Sequence, residues 1–109
     1  MTHQGETEFL EQVTGRIRAI APDTQKILLF GSRARGDARD DSDFDLLLVV
    51  PEATDTDRRA AEVRLALWNL DAGFDIVVLT PGLFDALRAS RGWYARSMLA
   101  EARVLHEAA

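Results

Sequence analysis

Residues Leu28 to Val50, LLFGSRARGDARDDSDFDLLLVV, limit what this chain can fold into more than any other stretch. Two apolar strand-like runs, Leu28–Phe30 and Leu46–Val50, flank a polar connection that holds two glycines, three arginines and five aspartates. At the end of that connection Asp43 and Asp45 sit two apart, with Phe44 between them. Successive side chains of an extended strand alternate between faces, so both carboxylates project from the same one. Two like charges aimed at one spot repel, and burying them together costs more still. A chain that keeps such a pair calls for a cation to satisfy it.

The remaining chain alternates helix and strand patterns. Phe9, Leu10, Val13, Ile17 and Ile20 follow the three-and-four spacing of a buried helix face, which predicts a helix from about Thr7 to Ile20, ended by Pro22. Ile27–Phe30 reads as a buried strand, and Ser32 is expected to cap a short helical turn through Arg35. Phe44–Val50 is the longest apolar run and reads as a central strand covered on both faces, closed by Pro51. A second amphipathic helix is expected over about Asp55–Leu70, with Ala60, Val63, Ala66, Leu67 and Leu70 inward and Gly73 as its left-handed stop. Phe74–Leu79 reads as a third strand, and Thr80-Pro81 as an N-cap and first helical position. Helices of roughly 82–89 and 92–101 follow, and Arg103–His106 is expected to add a short strand or turn. The pattern predicts an α/β layer structure in one domain spanning 1–109, without repeat or linker.

Length and charge exclude several functions. A chain of 109 residues can bury about two-thirds of its unfolded surface and has no room for a second substrate-binding domain. With no cysteine there is neither a disulfide framework nor a thiolate zinc site. MTHQGETEFL lacks the apolar core of a signal peptide, and no run approaches the roughly 20 residues of a membrane span, so a cytoplasmic protein is expected. The net charge of −5 argues against general nucleic-acid binding. Arg33, Arg35 and Arg39 nevertheless lie beside the aspartates, so an anion can bind locally.

Gly31-Ser32-Arg33-Ala34-Arg35-Gly36 leaves a strand and enters a helical turn, an arrangement whose backbone N–H groups suit phosphate oxygens. It is not a P-loop, because Asp37 follows Gly36, and its glycines are wrongly spaced for a dinucleotide fingerprint. A plain tight turn is the competing reading. Asp41-Ser42-Asp43-Phe44-Asp45 is not a calcium loop either, since the sixth position is Leu46 rather than glycine. Asp40 and Asp41 read as a solvated acidic turn. Asp75 opens a third apolar strand after a crossover long enough to bring that strand beside Phe44–Val50. If the two strands are neighbours, Asp43, Asp45 and Asp75 form one oxygen-ligand cluster suited to Mg²⁺ or Mn²⁺. A phosphate cradle beside a metal site describes a phosphoryl or nucleotidyl transfer centre. Trp68, Trp93 and Tyr94 read as packing residues, although Trp93 and Tyr94 could instead stack a base or form a contact surface. Arg58, Arg59 and Arg64 read as a solvated helix face, and His3 and His106 as neither ligands nor bases.

Gly31-Ser32, ten intervening residues, Asp43-Phe44-Asp45 and the later Phe74-Asp75-Ile76 resemble the signature of the DNA polymerase β-type nucleotidyltransferase superfamily. GSRARG followed by DSDFDLLLVV is similar to its minimal nucleotidyltransferase (MNT) domains, those of MntA-like antitoxins, and the resemblance runs from the first helix to SMLAEARVLHE. It implies a polymerase β-like palm, a small mixed sheet of three to four strands flanked by helices. It implies that Asp43 and Asp45 hold two metals around a triphosphate and that Gly31 and Ser32 bind the β- and γ-phosphates. Asp75 would ligate the metal on the attacking side and help activate the incoming hydroxyl. Arg33 and Arg35 would contact phosphate, with salt bridges to Asp37, Asp40 or Asp41 as their competing use. The implied activity is Mg²⁺-dependent transfer of a nucleoside monophosphate, AMP from ATP, to a hydroxyl. Larger relatives carry a further domain for the acceptor, which points here to an acceptor on another protein. For stand-alone MNT proteins that partner is a HEPN-domain toxin, silenced by AMPylation of a tyrosine hydroxyl. Two rivals stand beside this: an antitoxin acting by binding alone, and nucleotidylation of a small molecule such as an antibiotic.

Overall fold

Strict alternation along the central apolar run decides the architecture. In the computed structural model, which describes residues 2–108, Phe44, Leu46, Leu48 and Val50 pack with the core on one side of a sheet. Leu47 and Val49 pack on the other. The elements in chain order are α1 (His3–Ile20), β1 (Lys26–Phe30), α2 (Gly31–Arg35), β2 (Phe44–Val49), α3 (Thr56–Ala66), β3 (Phe74–Leu79), α4 (Pro81–Ala89), α5 (Trp93–Glu101) and β4 (Arg103–Glu107). The four strands form one mixed sheet in the order β3-β2-β1-β4. β1 pairs antiparallel with β2 and β4, while β2 and β3 are parallel. The α/β layering with β2 inside the sheet is what the sequence pattern predicts, and the mixed four-stranded sheet is what the family resemblance implies.

α1 and α3 cover one face. Leu10, Val13 and Ile17 of α1, together with Ala60, Val63 and Leu67, close over Ile27, Leu29, Phe44, Leu46 and Leu48. Phe9, Phe44 and Phe74 add an aromatic triangle with ring centroids 5.3–6.1 Å apart. Offset and tilted contacts of this kind favour the pairs beyond their buried area. The opposite face is covered by α4 and α5 through Phe84, Leu87, Met98 and Leu99, which pack over Leu28, Phe30, Leu47 and Val49. Among the described residues no helix is long and apolar enough to cross a membrane.

Several boundaries differ from expectation for physical reasons. α1 starts at His3 because Thr2 caps it, its hydroxyl accepting from the Gly5 amide at 2.9 Å. Ile20, expected inward, is exposed at the last helical position, and Ala21 takes the buried place instead. Ser32 is not the cap of α2: Phe30 holds that position and Ser32 lies inside the helix. α3 ends at Ala66, with Leu67 as its cap, so Gly73 does not terminate it. Trp68 follows Leu67 by about 100° of helical turn, off the buried stripe, and stands 83% exposed, contrary to its expected packing role. Thr80 and Pro81 occupy the expected N-cap and first helical positions. The side chain that reaches the α4 amides belongs to Glu52, which accepts from Gly82 N–H at 2.6 Å.

Candidate active site

Parallel pairing of β2 with β3 sets Asp45 directly opposite Asp75, one step after Phe44 opposite Phe74. Pairing with β1 sets Asp45 opposite Phe30, immediately before Gly31. Both carboxylates share the α4/α5 side of the sheet with Leu47, because their neighbours Phe44 and Leu46 take the other. Gly31, Arg35, Asp45 and Asp75 accordingly line one cleft of about 710 Å³.

Two glycines make room for the acids. Gly31 has φ +69°, a left-handed conformation, and a Cβ there would collide with Asp45 Oδ2. Only glycine meets both demands. A Cβ at Gly73 would likewise collide with Asp43 Oδ1, so Gly73 serves close approach rather than helix termination. Asp43 lies on the same side as Asp45 by strand alternation, but its carboxylate stands over Gly73, outside the cleft lining.

Burial, foremost, pushes the Asp45 carboxyl above its ordinary value of 3.8; a hydrogen bond with Asp75 and the like charges of Asp75 and Asp43 push the same way. Arg35 opposes them. The three carboxylates thus share one electrostatic neighbourhood. Their all-oxygen donor set fits a hard divalent cation, which takes one or two carboxylates and completes its shell with phosphate oxygens or water. Among the described residues no three acidic or histidine side chains are grouped closely enough to hold a metal ion between them. Register therefore brings the predicted trio to one sheet end, while the Asp43 carboxylate is turned aside from the other two.

The two arginines expected on phosphate have separate fates. Arg33 is 5% exposed and donates to the carbonyls of Ser42, at 2.9 and 3.2 Å, and Asp40, at 3.1 Å. Its guanidinium also faces Glu6 at 3.5 Å and lies 4.4 Å from the Phe44 ring centroid. A buried guanidinium so committed holds the 37–43 loop to the core, which corrects its expected role as a phosphate contact. Arg35 is exposed on the cleft rim and paired with Asp37 and Glu101, each at 3.2 Å. Ser32 is half-buried and does not line the cleft.

Other residues fall more simply. Arg59 is bound to Asp23 at 2.7 Å and so is not merely solvated, whereas Arg58 is exposed. His3 and His106 belong to no metal-binding group among the described residues. The Tyr94 side chain lies outside the described residues. Sequence reasoning missed the apolar extent of the cleft, formed by Leu47, Val77, Leu79, Leu87 and Met98, and its rim residue Glu101. One signal was available: in FDIVVL, Val77 and Leu79 share the face of Asp75.

The chain matches the nucleotidyltransferase domain family over residues 10–106. No curated protein matches it. Among solved structures, a chain of a toxin–antitoxin complex with AMP-PNP is 22% identical, with a TM-score of 0.60 over 91% of this chain and 73% of that one. A chain of the complex between tri-AMPylated Shewanella oneidensis HEPN toxin and MNT antitoxin is 19% identical, with a TM-score of 0.59 over 93% and 72%. A proposed nucleotidyltransferase from Sulfolobus solfataricus is 27% identical, with a TM-score of 0.57 over 72% and 70%. The toxin–antitoxin structures, at these identities, establish the shared fold.

Proposed function

Because the chain belongs to the nucleotidyltransferase domain family, we propose that it moves AMP from ATP to a hydroxyl of a HEPN-type partner protein and acts as that partner's antitoxin. The observation that carries this reading is the Asp45–Asp75 register, with Gly31 fitted against Asp45 in the same cleft. Two carboxylates on adjacent strands beside a turn that only glycine can make are what a metal–triphosphate complex requires. Likeness to MNT chains crystallised with HEPN toxin supports the choice of partner.

In the reaction the acceptor oxygen bonds to the α-phosphorus, the bond from that phosphorus to the bridging oxygen breaks, and pyrophosphate leaves. Asp75, exposed on the edge strand β3, would receive the acceptor's proton. Asp45, lining the cleft beside Gly31, would face the phosphate chain. Asp45 and Asp75, joined by a reoriented Asp43, would hold Mg²⁺ or Mn²⁺, which when bound lowers the acceptor hydroxyl's pKa and offsets charge on the leaving group. Gly31 and Ser32 would present backbone and hydroxyl donors to the terminal phosphates, with Arg35 at the rim.

The test is to incubate the protein with its HEPN partner, ATP and Mg²⁺ and to weigh the partner by mass spectrometry. The expected result is a gain of one or more AMP units that Asp45→Asn abolishes. An unchanged partner mass, with toxicity still neutralised, would instead establish silencing by binding alone.

A further inference from the structure

The cleft continues well past its carboxylates. Val77 and Leu79 extend its floor along β3, while Leu87, Met98 and Trp93 form its walls. Trp93 is 80% exposed and Val77 49%, so a broad apolar surface stands open beside a charged centre. Ser97 is the sole uncharged hydroxyl among the described lining residues. α5 runs along this surface: Glu101 at one end pairs with Arg35 on the cradle rim, and Trp93 lies eight residues away. At 1.5 Å per residue that separation is about 12 Å, the scale of a nucleoside triphosphate laid along the helix.

We infer that Trp93 is the stacking platform for the nucleobase, and that the subsite reads the base's π-face rather than its edge and so discriminates only weakly among bases. The inference rests on the triphosphate reading of the Gly31–Asp45–Asp75 end. Recognising a base edge takes several fixed donors and acceptors, and beyond the charged end the described lining residues offer two polar side chains, the Ser97 hydroxyl and the Trp93 indole, amid apolar ones. Stacking on an indole tolerates any base, because every base has a π-face. The subsite therefore accepts purine and pyrimidine triphosphates alike, purines more tightly through their larger faces.

The protein contains two tryptophans, and the other, Trp68, is exposed and lines no part of this cleft. A Trp68→Phe protein therefore reports on Trp93 alone. Titrated with Mg²⁺ and ATP, its tryptophan emission should be quenched. CTP should quench it too, with an affinity within about tenfold of that for ATP. Mg²⁺–tripolyphosphate should bind, as read by thermal shift, without quenching. Trp93→Ala should weaken ATP about tenfold and leave tripolyphosphate binding unchanged, with Trp93→Phe restoring most of the loss. ATP binding without quenching, an equal loss for ATP and tripolyphosphate in Trp93→Ala, or discrimination between bases beyond a hundredfold would each overturn the stacking role. Failure of both ATP and tripolyphosphate to bind would overturn the triphosphate site itself, and the stacking role with it.

Discussion

Asp45 is held between opposing requirements. Its position opposite Asp75 and against Gly31 suits it to a cation-bound phosphate chain, yet burial and two neighbouring carboxylates disfavour its ionised form. A carboxyl whose folded pKa lies above its ordinary 3.8 contributes stability that is fully present below that value. As pH rises through the raised folded pKa, that contribution is lost. In EDTA at pH 7, Asp45→Asn should therefore melt about 3 °C higher than the parent chain, a gap that is narrower at pH 4. The same variant should be inactive in transfer. Paired melting curves at the two pH values check the prediction, and a variant that melts lower at pH 7 would contradict it. The Asp45–Asp75 pairing was legible in the sequence because strand alternation has period two and the intervening helix has crossover length. Which arginine turns inward was not legible. Arg33 and Arg35 differ by two positions in one short helix, and the contacts that separate them, Phe44 for one and Glu101 for the other, are tertiary.

Among the elements, β1, β2 and β3 were legible as apolar runs, and crossover length allowed β3 beside β2. The places of β1 and β4 in the sheet were not legible, because antiparallel pairing leaves no signature in the runs themselves. The 37–43 loop was opaque, since its aspartates and arginines read equally well as solvated charge. Arg33 decides its conformation by donating to the Ser42 and Asp40 carbonyls, just ahead of Asp43. Removing this guanidinium empties a buried site and takes a charged donor from the Ser42 carbonyl and the ion pair from Glu6. Arg33→Met should therefore lose about 2–3 kcal/mol in urea denaturation. Arg35→Met, whose ion pairs are exposed, should leave the urea midpoint close to that of the parent chain. Equal losses in the two variants would place both arginines at the surface and remove the loop's anchor. α3 carries a related lesson: its apolar stripe was readable and itself puts Trp68 outward, but the end of the helix at Ala66 was not readable.

For the whole molecule the governing quantity is charge. A protein of net charge −5 that gathers three carboxylates at one sheet end presents a repulsive field to a polyanion such as ATP. Arg35 alone at the rim, shared with Asp37 and Glu101, does not reverse that field. Nucleotide binding should then be conditional on a divalent ion, since cation and triphosphate each remove the charge that excludes the other. A ligand present at a hundredfold its Kd stabilises a folded protein by about 2.7 kcal/mol. For a domain of this size that amounts to a rise in Tm of about 10 °C. Mg²⁺ and ATP together should give that rise, ATP in EDTA almost none, and Mg²⁺ alone a small one. Asp45→Asn should abolish the joint effect while leaving the protein folded. Should ATP in EDTA stabilise the protein as much as the pair does, the anion would be binding elsewhere on the surface, and the carboxylate end would lose its part in nucleotide recognition.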